Sequence, residues 1–296
     1  MIFGSKKIRT FHLSGGLGNQ LFQLAYMLWQ TKCNDIVPVV HFGRQHKNFN
    51  NPGGIELLNL EIRVKNYNNL FAKMIGRAHY YLIRNSAFHR RIWKVHLSQE
   101  DGYSELDETL NGRNVVGYFQ TYVFVDRVAN TLRSQFELAS HSLWVKRLIQ
   151  SASELQPIAV HIRSSDYQNH TNSIGVLSLD YYKSALHSLG NVSQNSPIWI
   201  FSDDLELAYE FKNEYIPLLD STVIICPEFE SAIGVLKVMS ACSYFVLANS
   251  TFSWWAAYLS HSKTVVAPKI WFKGMQDPKK LIPATWLLHD SHWIEK

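Results

Sequence analysis

The sequence predicts an α/β protein of two domains, each a parallel sheet covered by helices, and three observations carry that expectation. The chain has 296 residues, 46% apolar and 13% aromatic, enough for two cores at ~100–200 residues per domain. Short β-rich runs alternate with helical patterns through the second half, as right-handed βαβ units require. The first half opens the same way, with a strand, a glycine turn and an amphipathic helix.

The first strand is read over residues 8–13, and the turn over residues 14–20 (SGGLGNQ). The helix after it is read from the helical spacing of Leu21, Phe22, Leu24, Ala25, Leu28 and Trp29. Beyond that the first half is less regular, with plain turn chemistry at residues 48–54 (NFNNPGG). The break at residues 151–157 (SASELQP) sets the expected domains at 1–152 and 153–296. Strands are then expected at 158–162, 198–201, 223–226, 244–248 and 264–267. Helices between them are expected at 179–189, 205–211, 229–239 and 252–259, with Ser178 an N-cap and Asp180 in the opening turn.

Composition excludes several classes. Only 18% of residues are charged, and there are nine Trp, fourteen Tyr and sixteen Phe, so the chain is neither disordered nor fibrous. Cys33, Cys226 and Cys242 are odd in number and form no C-x-x-C pair, which argues against a disulfide framework or zinc ribbon. No apolar run approaches the ~20 residues of a membrane span. The opening residues, MIFGSKKIRTFHL, do not read as a secretory signal. A cytoplasmic protein is the expectation.

The net charge of +5 is unevenly placed. Residues 62–99 hold eight bases, from Arg63 to Lys94, and no acid. Within them Leu70, Phe71, Met74, Ile75, Ala78, Tyr81 and Leu82 keep helical spacing, while Lys73, Arg77 and Arg84 fall off that stripe. Two readings stand: a helix burying its apolar face in the core, or one lying on an anionic membrane surface. Nucleic acid is not an expected partner, for no helix-turn-helix, zinc-finger or RNA-recognition signature is present.

In open parallel sheets ligands bind beyond the carboxyl ends of the strands, which selects four segments. Ser14 to Gln20 form a glycine-rich turn in which Gly16 and Gly18 would let a ligand approach the backbone, although neither nucleotide fingerprint is met. Arg163 follows a buried strand and needs an anionic partner, either Asp166 as an ion pair or a bound diphosphate. Asp203 and Asp204 can cap a helix, hold a metal or accept bonds from a purine. Asn249, Ser250, Thr251 and Phe252 open a helix whose donors can hold phosphate oxygens, unless Ser250 or Thr251 only caps it. His161 reads as a core histidine when taken alone, and Trp254 and Trp255 read as packing residues.

Together these segments resemble the α-1,2-fucosyltransferases of glycosyltransferase family 11. The matching stretches are GGLGNQLFQLAYML (15–28), GYFQTYVFV (117–125), HIRSSDY (161–167), FSDD (201–204) and NSTFSWWAAYL (249–259). The resemblance implies a GT-B architecture, two Rossmann-like domains facing across a cleft, with an acceptor-side N-terminal domain and GDP-fucose on the C-terminal one. It implies transfer of L-fucose, with inversion, to the 2-hydroxyl of a galactose-type acceptor, as in bacterial surface polysaccharide synthesis, and no metal cofactor. Arg163 would bind the departing β-phosphate, and His161 with Asp203 or Asp204 would hold guanine. Ser250, Thr251 and Phe252 would line the diphosphate and base pocket, and Asn19 would face the reaction centre. A carboxylate or His would take the acceptor proton, with Asp166 and His12 the candidates. One departure stands out: where the family usually has HxRRGDY, this chain has Ser164 and Ser165. That change motivates a second reading, a transferase of another GDP-sugar, and a third is a non-catalytic carbohydrate- or nucleotide-binding protein. Were the basic segment to meet membrane, a lipid-linked glycan would be the natural acceptor.

Overall fold

The computed structural model describes residues 7–42, 63–64, 70–97, 112–139, 141–165, 167–215, 221–224 and 230–295. The chain divides into two compact units, Met1–Ala139 with Pro278–Leu281, and Ser140–Asp277 with Ile282–Lys296.

Among the described residues, the first unit contains strands β1 (Lys7–Leu13), β2 (Ile36–Phe42), β3 (Arg63–Val64), β4 (Val95–Leu97) and β5 (Asn114–Val116). All pair in parallel, in the order β3-β2-β1-β5-β4. Its helices are α1 (Leu17–Cys33), α2 (Leu70–Asn85), α3 (Ala87–Ile92), α4 (Tyr122–Asp126) and α5 (Ala129–Leu138). Helix α1 is buried on nearly every side: Phe22, Leu24, Ala25, Tyr26 and Met27 are fully enclosed, so the unit packs around it. Trp29 of α1 stacks on Phe124 of α4 with ring centroids 4.8 Å apart.

Helix α2 faces the core with a different flank from the apolar stripe that the sequence suggests. Its buried side carries Tyr80 and Ile83, packed with Val116. Met74, Ile75 and Tyr81, members of the apolar stripe, are instead 58%, 53% and 67% exposed. The reason is geometric. Gly76, Tyr80 and Ile83 follow i, i+4, i+7 spacing and lie on the flank opposite Met74, Ala78 and Tyr81, and the sheet takes that flank. The side chains of Leu70, Phe71, Lys73 and Arg77, and the turn at 48–54, lie outside what is described.

The second unit contains β6 (Ile158–Ile162), β7 (Ile198–Ser202), β8 (Ser221–Ile224), β9 (Tyr244–Val246), β10 (Thr264–Pro268) and β11 (Leu287–His289). They pair in parallel as β11-β10-β9-β6-β7-β8. Its helices are α6 (Leu143–Leu155), α7 (Leu179–His187), α8 (Asn191–Asn195), α9 (Leu205–Tyr215), α10 (Ala232–Ser240) and α11 (Thr251–Leu259). All five residues of β6 are buried, as suits a central parallel strand covered on both faces. Ile158, Val160 and Ile162 enter a core with Tyr181, Tyr182 and Phe211, which turns Ala159 and His161 to the opposite face. Trp254 and Trp255 are fully buried, as packing residues.

Residues 151–157 are a helix end rather than a linker. Helix α6 runs through Leu155 and closes on Gln156 in the left-handed conformation, φ 50°. Ser142 caps its start and donates a short hydrogen bond to Glu230. The division of the chain therefore falls ahead of α6, where sequence reading placed it at 152/153. Ser178 occupies the N-cap of α7 without a side-chain bond, and Asp180 sits in the first turn. Cys226 lies outside the described residues.

Each strand order contains one reversal. In the first sheet the chain runs β1, β2, β3 outward, then returns to place β5 on the other side of β1. In the second it runs β6, β7, β8, then places β9 against the free side of β6. The reversal points, β1/β5 and β6/β9, are where such sheets open a crevice for ligands.

Candidate active site

All the quoted motifs except FSDD follow or close a strand at one of these two reversals, and FSDD closes the strand beside β6. In the second unit, β6 delivers His161, Arg163, Ser164 and Ser165, and β9 delivers Asn249 and Ser250. Asp203 is the hub that fixes this edge. It accepts a hydrogen bond from the Ser164 backbone N–H at 3.1 Å and pairs with Arg163, Nε to Oδ2 at 3.4 Å. Its carbonyl accepts from the Ser165 hydroxyl at 2.6 Å. The Arg163 guanidinium also lies 5.5 Å from the centre of the Tyr167 ring, in cation–π range. Arg163 is thus held from two sides and remains partly exposed.

The ion-pair partner in view is Asp203, where the sequence offered Asp166. Asp166 lies outside the described residues. Asp204 caps α9, accepting from the Leu207 N–H at 3.1 Å. Asp203 and Asp204 therefore do different work: one orients the arginine and the other starts a helix.

His161 is buried, and its ring sits 5.9 Å from that of Phe252. Burial first, and the nearby Arg163 charge second, push its imidazole down to about 3, so it is neutral at physiological pH. Its Nδ1 is buried without a hydrogen-bond partner among the described residues. A neutral ring with an unused nitrogen suits recognition of a neutral heterocycle, since both act by hydrogen bonds.

Ser250 is the N-cap of α11, its hydroxyl accepting from the Phe252 N–H at 3.3 Å. Capping by Ser250 leaves the helix start as an oriented set of donors, with Thr251 and Phe252 partly exposed beside it. Asn249 is a clamp. Its amide donates toward the carbonyls of Ile174, Gly175 and Trp271, each at 3.2 Å, while its backbone oxygen accepts from the Tyr167 hydroxyl at 3.3 Å. Among the described residues no three His, Cys, Asp or Glu side chains gather as a metal-holding group.

The first unit carries Gly16, Gly18 and Asn19. Gly15 has φ +81°, and a Cβ there would fall 2.7 Å from Asn19 Nδ2, so glycine is required. Gly16 is the N-cap of α1 and Gly18 lies in its first turn, with no side chain capping the helix. Three amides that sequence reasoning gave no role set the turn. Gln20 Nε2 donates to the Gly15 carbonyl at 2.9 Å, Gln23 Oε1 accepts from the Ser14 N–H at 2.8 Å, and Gln120 Nε2 donates to Asn19 Oδ1 at 2.8 Å. Gln120 follows Phe119, whose φ of +53° is unusual for a bulky residue; its ring stacks on Tyr26 at 3.8 Å. The available signal was the amide repeat within the two quoted motifs. His12 is buried, with Nδ1 at 2.8 Å from His41 Nδ1 and Nε2 at 3.0 Å from Asn114 Oδ1, so both nitrogens are engaged inside the sheet.

The sequence profile described as Glycosyl transferase family 11 matches residues 114–280, more than half of the chain and both of its units. The chain belongs to glycosyltransferase family 11. Its similarity extends beyond that segment. It is 28% identical to an O-antigen biosynthesis glycosyltransferase, WbnK, of Escherichia coli, over 93% of this chain and 98% of that one. It is 27% identical to an alpha-1,2-colitosyltransferase of Escherichia coli, over 88% and 91%. Among solved structures it superposes on the fucosyltransferase NodZ from Bradyrhizobium with a TM-score of 0.50, 13% identity, and coverage of 87% and 94%. A structure of NodZ, an alpha-1,6-fucosyltransferase, soaked with GDP-fucose gives 0.51 with 13% identity over 86% and 93%. At such identity the likeness concerns the fold, which is GT-B for this family 11 glycosyltransferase: two α/β units, each built on a parallel sheet.

Proposed function

We propose that this glycosyltransferase moves L-fucose from GDP-fucose to the 2-hydroxyl of a galactose-type acceptor in bacterial surface polysaccharide synthesis. The Escherichia coli relatives, one named for O-antigen biosynthesis and one for alpha-1,2 transfer, support the setting and the linkage. The observation that carries the reading is Arg163, pinned by Asp203 at the β6/β9 reversal beside the start of α11.

The chemistry follows from charge. As the bond from the fucose anomeric carbon to the phosphate oxygen breaks, GDP leaves with the electron pair. Fixed donors aimed at that developing charge supply several kcal/mol. Asp203 grips Arg163 at Nε, which orients the planar guanidinium toward the β-phosphate, and the α11 donors near Ser250 and Thr251 take further phosphate oxygens. Positive charge from these groups takes the place of a divalent cation. His161, with Asp204, holds guanine, and Asn249 and Phe252 shape that pocket. The acceptor oxygen forms its bond to the anomeric carbon on the opposite side, inverting it, and loses its proton to a base. Asp166 is the base in this reading, Asn19, set by Gln120, faces the acceptor, and Gly16 and Gly18 let the donor approach the backbone.

A second donor is favoured by one pair of observations, the Ser164–Ser165 departure and a colitosyltransferase relative: a GDP-linked fucose analogue. The test is incubation with GDP-fucose and other GDP-sugars against a panel of β-galactosides, with and without EDTA, reading product mass and linkage. Transfer of fucose to the galactose 2-hydroxyl, undiminished by EDTA, is expected. Transfer to another position, or a requirement for divalent metal, would sink the proposal.

A further inference from the structure

Helices α2 and α3 leave an apolar surface in water that the fold does not use. Helix α3 buries none of its residues; Phe88 and Ile92, one turn apart on the same flank, are 69% and 55% exposed. With Met74, Ile75 and Tyr81 of α2 they make five large exposed apolar side chains. Among the described side chains, Tyr80 and Ile83 seat α2 against Val116, while Met74, Ile75 and Tyr81 of the stripe face outward. Single exposed apolar residues are ordinary, but five on two consecutive helices are more than solubility favours and point to an interaction surface.

The charge says what covers it. Residues 62–99 contain eight bases and no acid; among those whose side chains are described, Arg84 turns to Tyr80 and Tyr118, whereas Arg91 on α3 and Lys94 just after it are exposed. A second copy of the chain would set this basic face against itself, and like charges brought together oppose association. An anionic bilayer satisfies both features at once, taking the apolar side chains at the acyl boundary and the bases at the lipid phosphates.

We propose that α2 and α3 form a docking face for anionic membrane, with Met74, Ile75, Tyr81, Phe88 and Ile92 entering the headgroup boundary and Arg91 and Lys94 meeting lipid phosphates. No helix among the described residues is long and apolar enough to cross a membrane, so the contact is peripheral. The acceptor is then a glycan carried on a lipid at that surface; this consequence rests on the proposed function, whereas the docking face does not.

The full chain is tested by co-sedimentation with phosphatidylcholine vesicles, with and without phosphatidylglycerol, across a salt series. Anionic vesicles are expected to bind at least about tenfold more tightly, and the preference to fade with salt. The double variant Phe88→Ser, Ile92→Ser should lose about tenfold on anionic vesicles, and Arg91→Ala about fivefold on anionic vesicles alone. Unchanged circular dichroism and an unchanged thermal shift with GDP show that both variants are folded. Absence of anionic preference in the parent chain, or parent-like binding by the double variant, would overturn the proposal. So would a dimer in sedimentation equilibrium that the double variant dissolves, for then a second copy covers the face. Transfer from GDP-fucose to a soluble galactoside is read in parallel, so that a missing activity with intact vesicle binding strikes the proposed function and not the docking face.

Discussion

Arg163 sits one residue past a fully buried strand, and its worth depends on how it is held. Asp203 contacts it at 3.4 Å and Tyr167 faces its guanidinium, an arrangement that fixes a planar group before any substrate arrives. Arg163→Lys keeps a charge but loses the planar fork and the Nε contact. Turnover with GDP-fucose is expected to fall by ~10²–10³-fold in Arg163→Lys and further in Arg163→Ala, with melting temperature nearly unchanged; initial rates from a coupled GDP-release assay check this. His161 makes a second prediction at the same scale. Its imidazole stands near 6.5 when unfolded and about 3 when folded, so protonation favours the unfolded chain. The stability contributed by the neutral ring is therefore full above about pH 6.5 and is lost progressively as pH falls toward 3, by an amount on the order of a few kcal/mol. Urea melts between pH 7 and pH 5 should show the parent losing stability that His161→Gln retains. Parallel curves for the two would contradict the burial argument.

The helix starts at the two reversals are built by different means, and that difference is testable at the element scale. Helix α11 has a side-chain cap in Ser250, so Ser250→Ala should cost about 1 kcal/mol of stability, read by thermal denaturation, and weaken GDP binding, read by calorimetry. Helix α1 has no side-chain cap; its entry is shaped by Gly15 at φ +81° closing over Asn19. Gly15→Ala meets both a disfavoured backbone conformation and the Asn19 side chain, so a loss of more than about 1 kcal/mol is expected. Asn19→Ala removes the clash and should recover part of it; a double-mutant cycle measures that coupling. Helix α2 teaches a separate lesson. Its apolar residues keep a clean helical period, yet the buried flank is the one bearing Gly76, Tyr80 and Ile83.

For the whole molecule, the strand order of each parallel sheet explains why motifs far apart in sequence come close within a unit. β6 and β9 are separated by β7 and β8 along the chain yet pair directly, which brings Arg163 beside the start of α11. On the proposed reading, GDP should raise the melting temperature of the whole chain in proportion to the logarithm of its concentration, and more weakly in Arg163→Ala. The second-half strands and helices were legible because each is a compact apolar run between turns, and β6, β7 and β10 follow the expected runs to within a residue. In the first unit β2 to β5 and helices α3 to α5 were not, since short strands and short helices carry too few periods to register. The Arg163–Asp203 pair was not legible either, because nothing local ranks a carboxylate forty residues away above one three residues away. The sequence by itself determined that this is an α/β protein with a regular second half, because strand ends and glycine turns are written locally in residue type and spacing, and its long motifs were enough to mark the resemblance to family 11. Only the tertiary structure decided which carboxylate holds the arginine and which flank of α2 faces water, because partner choice and burial are set by the neighbours that folding brings near.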